Sequence, residues 1–454
     1  MTQTRINKKA VSEKYSELYK EKRSLLDEGS SPLLNRMRDV SMKRFEQVGV
    51  PGFKNEDYKY TNLERVFGKE YRHVLAYETV DVDLNEVFQC DVPQLDTYTV
   101  LLINGWYYAR NLQLEGLPEG VVAGSLKQIS NEQPELLENY LNRQAALSND
   151  PLVALNTAFA KDGFFLYVPE GVKLEKPIQV INLTRGQEAT FSTQRNLIIT
   201  GAKTEAKVIF CDHTLSSIDC LGNNVTEVFV GDGAVVDVYT IQNQNNKSNS
   251  VNSSFFKVGE KSNLLSGVAC LHGGLIRNNL VVSLDGEHSE AGVFGMSFTD
   301  KRQHVDNFTN ILHNKANCLS NQLYKNVLDE DSVGAFTGRI HVARDAQKTN
   351  AFQRNNNVLL TDTAKMNTKP QLIIDADDVK CSHGATVGQI DLDALFYMRA
   401  RGINENDARM MLMNAFAHEV VQEIRVEALR DRIDELVEKR LKGELAKCHS
   451  CDIN

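Results

Sequence analysis

The feature that most constrains the fold of this chain is a loose repeat of turns and short strands between residues 204 and 386. Each turn sets a polar residue before a small one, as in Asp232-Gly233-Ala234 and Glu260-Lys261-Ser262, a pairing that suits a tight corner. The first turns follow one another at about 27 or 28 residues and the later turns at about 14 to 18, which is typical of a solenoid. Apolar or alternating segments such as AVVDVYTIQ and AGVFGMSFT lie between them. We therefore predict a mainly β protein with a parallel β-helix core.

Further turns of this kind extend the pattern to the end of the predicted core. They are Glu287-His288-Ser289, Asn314-Lys315-Ala316, Asp331-Ser332, Asp345-Ala346, Thr363-Ala364 and Asp378-Val379. Asparagines also recur between the predicted strands, at positions 243, 245, 246, 278, 279, 307, 310, 326, 355, 356 and 357. We expect these asparagines to stack as ladders at the corners of the coils. A β-sandwich or jelly roll with similar spacing is the alternative fold.

Changes in composition and in the spacing of apolar residues divide the chain into five predicted regions. They are an N-terminal helical region (1–97), a strand-rich region with a helical insertion (98–203), the parallel β-helix core (204–390), a helical partner-binding region (391–442) and a flexible tail (443–454). Asp391 and Asn404 are predicted N-caps of C-terminal helices, and Gly402 ends the first of them. We expect these helices to cap the open end of the coils. In the longer helix we expect one apolar face of Ala408, Met411, Leu412, Ala415, Phe416 and Val420.

The charge of the chain argues against nucleic acid or an anionic membrane as a partner. Its 454 residues include 51 Lys plus Arg and 60 Asp plus Glu, a formal net charge of −9, and such a surface repels both. The first residues lack the apolar run of a secretion signal, and no apolar stretch approaches the roughly 18 residues of a membrane span. We therefore expect the eight cysteines to be reduced thiols and the protein to be cytoplasmic.

The sequence lacks the motifs of a nucleotide-driven or hydrolytic enzyme. Phosphate binding by an ATPase needs a glycine-rich loop that closes on Lys and Ser or Thr. The nearest sequences, Gly231-Asp232-Gly233 and Gly273-Gly274, lack that lysine and the helix after it, so we interpret them as corners. A serine nucleophile elbow and a His-Glu-x-x-His zinc motif are missing too. We infer that any step driven by a nucleotide belongs to a partner protein.

One pair of soft metal ligands stands out in the segment KCSHG, where the predicted coils end. Residues two apart in an extended segment share a face, so Cys381 and His383 can present sulfur and nitrogen to one metal ion or cluster. Zinc and iron–sulfur centres take four ligands, so the others would come from distant residues or another chain. A buried structural cysteine beside a corner histidine is the alternative. Cys448 and Cys451 also have metal-ligand spacing, but a flexible tail is the favoured interpretation because no second pair matches them.

Other cysteines and histidines are predicted to be structural. The segment Cys211-Asp212-His213 and Cys318 lie on predicted coil walls, where core packing is expected. His304, Asp306 and His313 flank a predicted strand. For these three we favour a hydrogen-bonded corner network over a metal site.

Two blocks of this sequence resemble the SufB/SufD family of the SUF iron–sulfur cluster assembly system. The stronger block runs from Pro370 to Phe416 and includes PQLIIDADDVKCSHGATVGQIDLDALFYMRARGI followed by ARMMLMNAF. The weaker block is NEDYKYT at residues 55–61, in which Tyr58 stands where the family usually has Trp. The likeness covers most of the chain and is absent after Leu441.

This resemblance implies a right-handed parallel β-helix between helical regions, in a non-enzymatic scaffold subunit of a hetero-oligomer. The implied partners are a SufB-like paralogue and a SufC-like ABC-type ATPase, and the implied cargo is an iron–sulfur cluster formed transiently at the interface with the paralogue. The family's interface histidine and its accompanying cysteine fall on His383 and Cys381. Met398 stands where SufB proteins have a cysteine, which favours the SufD branch and leaves the main acceptor thiol to the partner chain.

The resemblance also implies that the C-terminal helices dock the ATPase. The residues expected at that surface are Leu395, Phe396, Arg401, Arg409, Leu412 and Phe416. A β-helix lyase or hydrolase acting on carbohydrate is the alternative function, because a fold does not decide an activity. Such enzymes line a coil face with carboxylates and aromatic residues, whereas this chain places its distinctive Cys-x-His pair at the end of the coils. An independent metal-redox enzyme would need a complete ligand set within one chain.

Overall fold

The N-terminal part of the protein is helical. The structure is a computed structural model that describes residues 8–79, 95–108, 114 and 116–444. Its first helices are α1 (Lys8–Asp27), α2 (Pro32–Val48) and α3 (Glu64–Phe67), and α4 (Leu126–Glu132) and α5 (Pro151–Phe159) form the helical insertion. Ser31 begins α2 by accepting a hydrogen bond from the backbone N–H of Leu34. Gly49 ends it at φ +70°, a torsion that glycine adopts without strain.

Strands make up most of the remaining described residues. They are β1 (Arg72–His73), β2 (Tyr98–Ile103), β3 (Trp106–Tyr107), β4 (Val122–Ser125), β5 (Phe164–Val168), β6 (Ile178–Thr184), β7 (Thr190–Thr200), β8 (Glu205–Thr214), β9 (Cys220–Val230), β10 (Val235–Asn243), β11 (Ser248–Val258), β12 (Asn263–His272), β13 (Leu275–Leu284), β14 (Glu290–Thr299), β15 (His304–His313), β16 (Leu319–Leu328), β17 (Val333–Val342), β18 (Asn350–Leu359), β19 (Lys365–Ile374) and β20 (Lys380–Gln389).

These strands form a parallel β-solenoid of two sheets. From β5 onward the odd-numbered strands belong to one sheet and the even-numbered strands to the other. Each strand pairs in parallel with the strand two further along the chain, so the chain alternates between the sheets. A sandwich of antiparallel hairpins would instead pair neighbours in sequence. The predicted parallel β-helix core is therefore confirmed.

One coil of the solenoid takes 27 to 31 residues. In the even-numbered sheet the residues in register on successive strands are Glu205, Val235, Asn263, Glu290, Leu319, Asn350 and Lys380. The parallel pairing is continuous from β6 to β20. The solenoid therefore continues through residue 203, where the sequence suggested a boundary between two regions.

The six corners from β7–β8 to β17–β18 that lead from odd to even strands each contain one residue with positive φ, whereas the corner between β19 and β20 contains none. Lys203, Gly233, Lys261, His288, Asn317 and Lys348 occupy this position, with φ between 52° and 67°. The backbone N–H of each donates to a carbonyl oxygen of the next coil, as from Lys203 to Asp232 at 2.8 Å. A small buried residue follows, for example Ser262 or Ser289. This geometry explains the polar-then-small pattern of the sequence repeat.

The space between the two sheets, which we call the lumen, is apolar near these corners and polar on the opposite side. Val236, Leu264 and Val282 are fully buried in the apolar part. A hydrogen-bonded ladder in the polar part joins Asn224, Asn252, Asn278 and Asn307, with distances of 2.9, 3.1 and 3.0 Å. The ladder lies within strands β9 to β15 and not at corners as predicted, because in-register positions bring each amide beside the next.

The N-terminal helices cover the outer face of the odd-numbered sheet. Tyr15 of α1, Phe45 of α2 and Phe159 of α5 belong to one buried cluster with Phe191 of β7. The rings of Tyr15 and Phe191 meet edge to face with their centroids 5.9 Å apart, a favoured arrangement for aromatic pairs. These helices are thus part of the core and not a separate arm.

Three helices follow the last strand: α6 (Leu392–Ala400), α7 (Glu405–Val421) and α8 (Glu427–Leu441). Asp391 accepts a hydrogen bond from the N–H of Ala394, and Asn404 accepts one from the N–H of Asp407, so both predicted N-caps are confirmed. Gly402 lies just after α6 at φ +90°, as predicted for a helix end. No helix among the described residues is long and apolar enough to cross a membrane.

The C-terminal helices do not cap the open end of the coils, so that prediction was wrong. Helices α7 and α8 fold back over the outer face of the even-numbered sheet, where Val420 and Leu429 share a cluster with Phe294. The reason is that this outer face is apolar and must be buried, whereas water can satisfy a free strand edge. The buried face of α7 also differs from the prediction, because Met413 is buried while Met411 is 53% exposed.

Candidate functional site at the last coil

The last coil of the solenoid, formed by β19 and β20, is more exposed than the earlier coils. Every residue of β20 except Cys381 is exposed. Among the described strands β19 pairs only with β17, and β20 only with β18. One backbone edge of each strand is therefore unpaired there, and a free edge of ten residues can pair with another chain.

Cys381 and His383 lie on the face of β20 that turns toward the lumen. They are in register with Ala351 and Gln353 of β18, and Ala351 is fully buried in the apolar core. Partial burial raises the pKa of the Cys381 thiol, and a backbone hydrogen bond with Ala351 opposes that shift. His383 is exposed, and its imidazole has no hydrogen bond to another described residue. The structure thus brings the two predicted ligands onto one face, at the open end of the solenoid.

Other side chains in the described part of the chain do not complete this pair. No group of three or more His, Cys, Asp and Glu side chains comes together there. Burial raises the pKa of Cys220 and of Cys270 to about 12, so both thiols stay protonated at neutral pH. Cys211 and Cys318 are buried, which confirms their predicted packing role. Cys90, Cys448 and Cys451 lie outside the described residues, as does most of the predicted tail.

The histidines of β15 belong to hydrogen-bonded networks. Nε2 of His304 lies 2.9 Å from Oγ1 of Thr61, and burial lowers the pKa of His304. Thr61 also donates a hydrogen bond to Asp306. Nε2 of His313 lies 2.8 Å from Oγ of Ser320. These contacts confirm the structural interpretation that the sequence favoured over a metal site.

The NEDYKYT segment contacts the outer face of the odd-numbered sheet as far as the last coil. The carbonyl oxygen of Asp57 accepts a hydrogen bond from Arg277 of β13 at 2.7 Å, and its carboxylate accepts one from Arg339 of β17 at 3.0 Å. Glu56 pairs with Lys369 of β19, which lowers the pKa of the Glu56 carboxyl. The sequence marked this motif but did not reveal its partners, which lie 220 and 282 positions away from Asp57.

Two of the six residues predicted to bind a partner hold α6 and α7 to the rest of this chain. Leu395 is only 6% exposed, and the half-buried ring of Phe416 lies 4.5 Å from Nζ of Lys325. Lys325 of β16 also pairs with Glu419, which Arg354 of β18 contacts at 3.0 Å. The hydrogen bond from Lys325 lowers the pKa of the Glu419 carboxyl. Sequence reasoning missed this group, since Lys325 stands among ordinary strand residues 91 positions before Phe416.

The other four predicted partner-binding residues are partly or fully exposed. Phe396 is 75% exposed, and the guanidinium of Arg401 lies 4.6 Å from the ring centroid of Tyr397. Arg409 pairs with Glu405 one turn earlier in α7, and Leu412 is half-buried. Large apolar side chains exposed on these helices are Leu392, Phe396, Tyr397 and Met411, at 53% to 75%. Helices α6 and α7 therefore present an apolar surface to solvent.

Comparison with known proteins supplies the family. A profile described as "SUF system FeS cluster assembly, SufBD core domain" matches residues 182–416, and one described as "SufBD protein N-terminal region" matches residues 9–180. The chain is 29% identical over 408 residues to the iron–sulfur cluster assembly protein SufD of Escherichia coli, covering 88% of this chain and 92% of that protein. It is 28% identical over 400 residues to an iron–sulfur cluster assembly SufBD family protein of Synechocystis sp., covering 86% and 87%. The core profile spans both predicted ligands of the last coil, and the chain belongs to the SufBD family of the SUF iron–sulfur cluster assembly system.

Proposed function

We propose that this chain is a non-enzymatic scaffold subunit, of the SufD branch, in a cytoplasmic SufBCD-type complex. It supports de novo assembly and transfer of iron–sulfur clusters at an interface with a SufB-like paralogue, and a SufC-like ABC-type ATPase drives the process. The observation that supports this proposal is the last coil, which presents Cys381 and His383 on one face beside unpaired strand edges. The cluster is cargo that the two chains hold transiently.

The incomplete ligand pair argues for a site shared between chains. Iron–sulfur clusters take four protein ligands, and this face of β20 supplies one thiol and one imidazole. A second chain that paired with the free edge of β19 or β20 would place its own side chains about 5 Å away. His383 is exposed, and its imidazole makes no hydrogen bond with a described residue. The imidazole can therefore rotate toward a cluster shared by the two chains without breaking an existing hydrogen bond.

The surface of the last coil also suits a protein partner. Ile373 and Ile374 at the end of β19 are 43% and 40% exposed, and Val387 of β20 is 46% exposed. Apolar side chains beside unpaired strand edges are typical of a surface that another chain covers. We therefore place the SufB-like paralogue against β19 and β20.

We place the ATPase on the exposed side of α6 and the start of α7. Leu392, Phe396 and Met411 are each more than half exposed there. On the opposite side Leu395 is buried, and Phe416 of α7 contacts Lys325 of the solenoid. An apolar patch on anchored helices offers a folded partner a preformed docking surface.

The cluster site is tested with His383→Ala and Cys381→Ser in a complex reconstituted with the paralogue and the ATPase. We expect His383→Ala to lower iron and sulfide per folded complex sharply, while its thermal stability stays at the wild-type level because the side chain is exposed. Cys381→Ser should show a smaller loss, since the partner supplies other thiolates. Ser382→Ala changes the exposed neighbour on the opposite face of β20 and is the matched control.

Two outcomes would contradict this role for His383. One is iron and sulfide content per folded complex equal to that of the wild type. The other is a cluster content that falls only in proportion to folded protein, together with a loss of about 1–3 kcal/mol in the free energy of unfolding. That second pattern would mean that His383 contributes to the stability of the fold and not to cluster binding.

The docking surface is tested with Phe396→Asp in a pull-down of the ATPase. The control is Phe53→Asp, which changes a phenylalanine that is 60% exposed in the N-terminal region. We expect Phe396→Asp to lose the ATPase and Phe53→Asp to retain it at matched expression. Retention of the ATPase by Phe396→Asp would refute the placement. ATP hydrolysis by this chain in a preparation free of the ATPase would refute the non-enzymatic role.

A further inference from the structure

The lumen behind His383 contains an amide without a partner. Gln353 of β18 is 1% exposed, and neither its Nε2 nor its Oε1 forms a hydrogen bond within the described residues. Burying an amide in this way is unfavourable, and native proteins keep few such groups without a role for them. Gln353 is in register with His383, which lies one strand further out in the same sheet.

The next glutamine inward shows how the lumen satisfies such a side chain. Gln322 of β16 is in register with Gln353, and its Oε1 accepts a hydrogen bond from Oγ1 of Thr309 at 2.7 Å, although its Nε2 has no partner. On β17 the position in register with Thr309 is Gly338, which offers Gln353 no hydroxyl. A Cβ at Gly338 would overlap the Nε2 of Gln353. Gly338 thus leaves space for the side-chain amide of Gln353, but no described residue forms a hydrogen bond with that amide.

We propose that Gln353 is the positioning residue for His383. The two side chains project from adjacent strands on one face, where neighbouring residues lie about 4.8 Å apart. A hydrogen bond between the amide and one ring nitrogen then needs only rotation about side-chain torsions. Such a bond selects one tautomer of the imidazole and directs its other nitrogen toward the open end of the solenoid. This inference rests on the proposed role of His383 as a cluster ligand and adds the residue that orients it.

The tautomer of His383 is measured by ¹⁵N NMR of histidine ring nitrogens in the full-length chain, with the signal assigned by its loss in His383→Ala. We expect one tautomer in the wild type and two at comparable levels in Gln353→Met, which keeps the side-chain length and removes the amide. Gln353→Glu retains an acceptor oxygen and should restore a single tautomer. Gln322→Met makes the same change one coil deeper and should leave the His383 signal unchanged.

An unchanged tautomer ratio in Gln353→Met overturns the proposal, and so does an equal change in Gln322→Met. Should Gln353→Met fail to fold, the exposed His383 allows the reverse measurement. In His383→Ala the side-chain amide signals of Gln353 must shift, and unshifted signals overturn the proposal as well.

Cluster content in the reconstituted complex separates this inference from the proposed function. We expect iron and sulfide per folded complex to fall about tenfold in Gln353→Met, the effect usual for a residue that orients a metal-bound histidine. A wild-type content in His383→Ala would refute the ligand role of His383, whereas the tautomer ratio still decides whether Gln353 orients the ring. Wild-type content in Gln353→Met beside a lowered content in His383→Ala would refute the positioning role alone.

Discussion

The inner coils and the last coil share a backbone geometry and differ in what surrounds it. Strands such as β9, β10 and β20 have 11, 9 and 10 residues and pair in the same parallel manner. The N-terminal helices cover the inner coils on one sheet and α7 and α8 cover them on the other, whereas β20 is exposed almost throughout. Parallel pairing in register therefore suffices to shape a coil, while burial of its side chains stabilises it. The last coil keeps the shape and leaves its side chains available for binding.

Removing a buried ion pair from an inner coil should produce the largest loss of stability. Glu227 of β9 is fully buried, lies 2.7 Å from Arg195 and accepts hydrogen bonds from three backbone N–H groups of residues 142–145. We expect Glu227→Ala to lower the free energy of unfolding by about 3–5 kcal/mol, because the buried guanidinium of Arg195 then has no opposite charge beside it. Urea unfolding at pH 7 measures this. A loss below about 1 kcal/mol would show that the inner coils do not depend on burial as described.

A matched pair of isoleucines compares the two regions directly. Ile340 of β17 is fully buried between the sheets, and Ile373 of β19 is 43% exposed. Ile340→Ala should cost about 2–5 kcal/mol through lost burial and a cavity, and Ile373→Ala no more than about 0.5 kcal/mol. The two midpoints of chemical unfolding are compared on the same day in the same buffer. Equal losses would mean that the last coil is as tightly packed as the others.

The interior of the early coils should also make stability depend on pH. Asp212 of β8 is buried and accepts a hydrogen bond from Asn182 at 2.7 Å, and burial raises its pKa to about 6. The unfolded carboxyl has a pKa near 3.9, so between these values the folded state binds the proton and the unfolded state does not. Stability therefore falls by about 2 kcal/mol as the pH rises from 4 to 7.

Asp212→Asn should remove this decline and stabilise the protein above pH 6. Asp377→Asn changes an exposed carboxyl beside the last coil and is the control that should keep the wild-type profile. Thermal unfolding from pH 4 to 8 gives both profiles. If the fall in stability with rising pH persists in Asp212→Asn, other titratable groups cause it.

A small effect is also expected for an exposed ion pair between α6 and α7. Glu405 is 43% exposed and lies 3.1 Å from Arg399 and 3.2 Å from Arg409. Glu405→Gln should change the free energy of unfolding by at most about 1 kcal/mol, because solvent screens the charges. Unfolding at low and high salt measures it. A loss as large as that of Glu227→Ala would remove the distinction between covered and exposed regions.

The sequence predicted those features that depend on neighbouring residues. Asp391 and Asn404 marked helix starts because capping is local, and the period of two along a strand placed Cys381 and His383 on one face. Apolar spacing indicated that α7 buries one face but not which surface covers it, so Met411 was misplaced. Gln353 could not be found in this way. Because coils vary from 27 to 31 residues, counting along the chain does not reveal which residue lies beneath His383.

The corner with positive φ bears on how such a chain changes over evolutionary time. The bond that stacks one corner on the next joins main-chain atoms, so lysine, glycine, histidine and asparagine all occur at the same position. Residues other than glycine bear a strain of roughly 1 kcal/mol there, which a folded solenoid can absorb one corner at a time. Exchanging one of these residue types for another at such a corner should therefore change the free energy of unfolding by roughly 1 kcal/mol. The repeat is therefore defined by the torsion angle at its corners and not by the residue type, which is why it is weak in the sequence and regular in the structure.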